Sequence, residues 1–168
     1  MERTRIYAIW GLWFLTFFGV CQHAWYWPQL PGTVATHFGS DGQPNDWMSK
    51  ENATLVLLGF QVLFPWILTG LARLIGVLPI SVINIPHREY WLQPERREAT
   101  LSWMGGYLAW TAVATGLLMT VLAHFTFRAN VKGAGLEMAP FLCFVVGYLV
   151  VILAMTVVNL RRFRLPAQ

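Results

Sequence analysis

The sequence predicts an all-α integral membrane protein, a four-helix bundle with a structured extracytoplasmic loop between its first two helices. Three observations lead there. Of 168 residues, 56% are hydrophobic and 15% aromatic against 12% charged, and the mean hydropathy is +0.49, which leaves too little polar surface to cover a water-soluble globule of this size. Four runs reach the roughly 20 mainly apolar residues needed to cross the hydrocarbon core. Between the first two lies a polar, turn-rich insertion, Leu30 to Lys50.

The first run, Ile6 to Trp27, follows Arg3 and Arg5 as a secretory signal would. It is too long for a signal's apolar region, and Cys21-Gln22-His23-Ala24-Trp25 offers no small-residue cleavage site, so it reads as a retained helix. The second run, Ala53 to Ile75, contains Pro65, which removes one helical hydrogen bond, and carries Arg73 near its end, where a long stem reaches the headgroups. Leu101 to Phe127 and Ala139 to Leu160 complete the set. Backbone groups in hydrocarbon must pair within their own segment, which makes all four runs helices. Between the second and third, Asn84 to Thr100 interleaves Glu89, Glu95 and Glu98 with Arg88, Arg96 and Arg97. That pattern predicts a helix on the membrane surface; the other reading has Asn84, Arg88, Glu89 and Tyr90 docking a partner beneath the bundle. With neither repeat nor long linker, residues 1–168 form one domain.

Orientation follows from the cations, because short loops rich in Lys and Arg stay in the cytoplasm. Arg3, Arg5, Arg73, Arg88, Arg96, Arg97, Arg161, Arg162 and Arg164 fall on one side, and Lys50, Arg128 and Lys132 on the other. Both termini are therefore expected in the cytoplasm and the Leu30 to Lys50 loop outside. The pI near 9.4 does not indicate nucleic acid, whose binding modules gather cations on one wet face.

The outer loop has turn chemistry of its own. Pro28, Pro31 and Pro44 restrict the backbone, Asp41-Gly42 is a turn dipeptide, and Trp47 offers an interfacial anchor ahead of Lys50. The order Leu30-Pro31, His37-Phe38, Gly42-Gln43-Pro44-Asn45, Trp47, Ser49-Lys50 resembles the bacterial membrane proteins that share a domain of unknown function with the SdpI-like immunity protein of the sporulation-delaying toxin system. Asn45 departs from that pattern, which usually has Asp there, with Asp46 as the substitute if a carboxylate is needed. A second segment, Asn84-Ile85-Pro86-His87-Arg88-Glu89-Tyr90-Trp91-Leu92, is similar to one in small stand-alone members of the same family. The resemblance implies a protein of the bacterial cytoplasmic membrane linked to toxin immunity or signalling, with no assigned reaction.

Candidate binding residues are thus His37, Phe38, Asp41, Gly42, Pro44, Asn45, Asp46, Trp47 and Lys50 outside, with Asn84, Arg88, Glu89 and Tyr90 inside. His23, His37, His124, Cys21 and Cys143 map toward the outer face, near Met119 and Met138, where imidazole and sulfur could hold zinc or cuprous copper. No local ligand pair accompanies them. The alternative has His37 bonding the loop backbone while His23 and His124 lie at the interface. Cys21 and Cys143 read as free thiols, with a single bridge left open. An enzymatic reading recruits Asp41, Asp46, Glu51 and His37, yet no recognised catalytic motif is present, which leaves catalysis open. Gln61 is the one strongly polar side chain expected near mid-bilayer, which argues against an ion path. No cofactor is called for. Expected partners are the bilayer and a membrane or secreted protein or peptide, and Gly105-Gly106, Gly116 and Gly147 supply surfaces for packing within the bundle or between copies.

Overall fold

The computed structural model describes residues 2–165. Four helices long and apolar enough to cross a membrane dominate it. Helix α1 (Glu2–Tyr26) ends in a 3₁₀ turn at Trp27–Gln29, and strands β1 (Thr33–Phe38) and β2 (Pro44–Ser49) follow as an antiparallel hairpin. Helix α2 (Lys50–Leu74) starts where the Ser49 hydroxyl accepts the Asn52 N–H at 3.3 Å, which satisfies one of the free donors of a helix start. It runs unbroken through Pro65. A 3₁₀ turn at Ile80–Val82 and the single turn α3 (Arg88–Trp91) lead into α4 (Pro94–Lys132), and α5 (Met138–Arg162) completes the chain.

The expected surface helix over Asn84 to Thr100 does not form as one element. Pro94 sits at the first position of α4, where its missing N–H costs nothing, so Glu95, Arg96, Arg97 and Glu98 join α4. That helix has 39 residues, about 58 Å at the usual rise, and outruns a hydrocarbon core of about 30 Å. Gly133, at φ 61°, ends it in the left-handed conformation that glycine adopts freely.

Helices α1, α2 and α4 pack on one another, and small residues set their spacing. A Cβ on Gly116 would lie 3.3 Å from Leu15 Cδ1 and 3.5 Å from Pro65 Cγ, while Ala109 and Ala112 are fully buried. Close backbone approach of this kind replaces the hydrophobic effect as the source of packing in lipid. Helix α5 differs from the expected bundle member, because it leans chiefly on α4 and none of its residues is buried. Side-chain bonds hold it there: Trp103 Nε1–H donates to Asn159 Oδ1 at 3.0 Å, and the hydroxyls of Tyr107 and Thr156 pair at 3.2 Å.

Candidate functional site

The hairpin is fastened to the far end of α4. Asn130 Oδ1 accepts the Ala35 N–H at 2.6 Å, and its Nδ2 donates to Ala35 O at 2.9 Å and Thr126 O at 2.8 Å. One side-chain amide thus pairs both backbone groups of a buried strand residue, which would otherwise be left unsatisfied. A second tie joins the loop tips, where Leu136 N–H donates to Gly42 O at 2.8 Å. Gly42 lies at φ 78°, and a Cβ there would meet Leu136 O at 2.8 Å, so both the turn and the approach of the α4–α5 loop require glycine. Below, Leu30 and Val34 pack on Ala53, Ala123 and Phe127.

Between the hairpin and the end of α4 lies a cavity of about 290 Å³. Phe38, Pro44 and Trp47 line it from the hairpin, with Asn130, Ala134 and Gly135 opposite. Trp47 is 51% exposed and borders the cavity, while within the protein the tie from hairpin to α4 is made by Asn130. The remaining candidates have local duties. His37 Nδ1 and Asn45 Oδ1 pair at 2.5 Å, Asp41 Oδ1 accepts the Gln43 N–H at 2.9 Å, and Asp46 Oδ1 accepts the Trp47 N–H at 2.9 Å. Asn45 therefore meets His37 in person, while the Asp46 carboxylate is engaged by backbone. Lys50 Nζ donates to Leu30 O at 3.2 Å and lies 4.7 Å from the Trp27 ring centre. Glu51 is exposed in the first turn of α2 and does not join the other acidic residues. In the adjoining loop, the Lys132 ammonium donating at 2.7 Å holds the Glu137 carboxyl below its ordinary range, with Arg128 adding to the effect.

Beneath this layer the helices enclose polar side chains that were not foreseen as a group. His23, expected at the interface, is only 4% exposed. Gln61 Nε2 donates to Thr120 Oγ1 at 3.0 Å and Gln22 Oε1 at 3.3 Å, so its Oε1 is left to accept from His23 Nε2 at 3.0 Å. Gln22 Nε2 in turn donates to Thr120 O at 3.1 Å. This chain of bonds places the imidazole proton on Nε2 and leaves His23 Nδ1 buried without a partner. Gln61 is thus one of four linked polar side chains, contributed by α1, α2 and α4. Gly19 makes room for it, since a Cβ there would come within 2.5 Å of Gln61 Nε2.

The metal candidates are scattered. His124 Nδ1 pairs with the Tyr26 hydroxyl at 3.0 Å, His37 stands on the hairpin, and His23 is held by Gln61. Cys21 and Cys143 are both free and exposed, which excludes the bridge left open by the sequence. Among the described residues no three His, Cys, Asp or Glu side chains gather as a ligand set.

At the opposite end, Arg88 donates to Glu89 Oε1 and Ser81 O, and the Arg96 guanidinium covers the Tyr90 ring at 4.1 Å. Asn84 is exposed. The residues that fix this segment are others: Trp91 Nε1–H donates to Phe163 O at 3.0 Å, Thr100 Oγ1–H donates to Trp91 O at 2.8 Å, and Leu92 and Phe163 are buried.

Residues 14–62 match the domain of unknown function (DUF1648). The matched span runs from mid-α1 through the hairpin into α2, and it contains Gln22, His23 and Gln61 but not their α4 partner Thr120. No curated protein and no solved structure matches the chain.

Proposed function

We propose that this protein is a binding module of the bacterial inner membrane, of the immunity or signalling type, that recognises a membrane or secreted protein or peptide through its hairpin. The cavity beside Phe38 and Trp47 carries this reading. A hairpin tied down by Asn130 and Gly42 presents an exposed tryptophan and a partly apolar recess in a fixed relation, and binding to a pre-ordered surface avoids the entropy of arranging it. Tryptophan is among the side chains most often found as the energetic anchors of recognition surfaces. The charge distribution supports an external hairpin, since nine cations lie toward the end that carries the termini and three toward the hairpin end. The resemblance to immunity proteins of toxin systems supports the class of partner.

A photo-crosslinking amino acid placed at Trp47 in intact cells tests this. The expected result is a discrete adduct with a protein or peptide, lost when Phe38→Ala is added and absent when the same probe replaces Leu153 on α5. Failure to form any adduct at Trp47, or identical adducts from Leu153, would overturn recognition through the hairpin.

A further inference from the structure

Of the four linked polar side chains at the α1–α2–α4 seam, His23 alone can change its charge near neutral pH. Its Nε2 proton is given to Gln61 Oε1, and its remaining lone pair, on Nδ1, is buried with no partner. A second proton has only that atom to enter, where the new N–H would find no acceptor. The imidazolium would also lack a counter-charge, because among the described residues no ion pair involves His23. The titratable groups on the surrounding elements do not supply one. Tyr26, one turn further along α1, has its hydroxyl against His124 of α4; Arg128, the next cation on α4, pairs with Glu137 at 3.2 Å; Lys50 and Glu51 open α2 about 15 Å along the helix from Gln61; and Cys21 is exposed.

The same imidazole touches the floor of the hairpin. Its ring meets that of Phe127 edge to face, with centres 4.8 Å apart at 88°. Phe127 is fully buried and packs with Leu30 and Val34 under the strands, so the closed hairpin and the dry imidazole share one wall. A contact with an aromatic ring offsets less than the desolvation of a lone charge costs, and the charged ring is therefore not kept in this place. We propose that His23 makes the hairpin acid-sensitive: when the seam opens, Nδ1 takes a proton from water, and the resulting cation keeps Phe127 and the hairpin base from closing again. The open form binds the extra proton and the closed form does not, so closure is favoured at high pH and lost as pH falls. The regulated element is the hairpin assigned above as the recognition surface, and its opening is measured with no partner present, so failure here leaves that reading standing.

Thiol labelling of the full-length reconstituted protein, in a background lacking Cys21 and Cys143, tests this. Val34 is fully buried and Ser40 is exposed, so the labelling rate of Val34→Cys divided by that of Ser40→Cys reports opening of the hairpin base and removes the reagent's own pH dependence. The ratio should rise as pH falls below about 6.5, by as much as about tenfold per pH unit. It should stay flat in His23→Gln, whose amide can still donate to Gln61, while His37→Gln and His124→Gln keep the rise. Nuclear magnetic resonance of nitrogen-labelled histidine, with His23 intact, gives a second measure: protonation of His23 Nδ1 should appear over the same pH range as the labelling. A flat ratio in the parent protein, the same rise in His23→Gln, or a rise removed by His124→Gln would overturn the proposal. If His23→Gln already labels fully at high pH, the resonance decides, and protonation of His23 with Val34→Cys still protected, or labelling without that protonation, would overturn it.

Discussion

Asn130 shows how one side chain can decide the placement of a distant segment. Its amide satisfies the N–H and the C=O of Ala35, a residue 95 positions away that is only 4% exposed. Removing the amide leaves two buried backbone groups unpaired, at a cost of about 1–3 kcal/mol for each. Trp47, by contrast, has half its surface uncovered by the rest of the protein. Asn130→Ala should therefore raise protease cleavage between Leu30 and Lys50 markedly in reconstituted protein, and Trp47→Ala should change it little. Cleavage enhanced equally by both, or more by Trp47→Ala, would return the anchoring role to the tryptophan. The sequence shows an asparagine near the end of an apolar run, but nothing in it reports a partner 95 residues away.

The helices themselves were readable because a long apolar run has only one way to satisfy its backbone in lipid. The Asp41-Gly42 turn was readable for a local reason too, since glycine alone tolerates φ 78° cheaply. No separate surface helix forms over Asn84 to Thr100 because Pro94 is a helix-start signal that merges the charged turn into α4, whatever the charge alternation around it. The grouping of Gln22, His23, Gln61 and Thr120 was unreadable for a different reason: each looks like an isolated polar residue until three helices are set side by side. Their bonds give the α1–α2–α4 interface its register. Interhelical hydrogen bonds in membranes contribute about 0.6–2 kcal/mol each, so Gln61→Leu, which breaks three at once, should lower the unfolding midpoint in detergent by several degrees. Gly19→Ala should act in the same direction, because its methyl would displace the Gln61 amide. If both variants unfold like the wild type, the polar chain is incidental to helix packing.

For the whole molecule the decisive asymmetry is between its two ends. α1 and α4 run in the same sense, as the pairing of Gln22 with Thr120 and of Tyr26 with His124 shows, and α2 and α5 return. The hairpin and the Lys132–Glu137 turn therefore share one end, while the termini, α3 and the start of α4 share the other. A helix of about 58 Å leaves α4 projecting from a core of about 30 Å, which accounts for a hairpin docked on one projection and Trp91 packed with Phe163 near the other. With nine of twelve cations at the terminal end, the hairpin is expected outside the cell membrane. Ser40 and Gln93 are both exposed and lie at opposite ends. In a chain lacking Cys21 and Cys143, a membrane-impermeant thiol reagent should modify Ser40→Cys in intact cells and Gln93→Cys only after the membrane is opened. Modification of Gln93→Cys from outside, with Ser40→Cys protected, would invert the orientation and place the hairpin cavity in the cytoplasm, where no secreted partner could reach it.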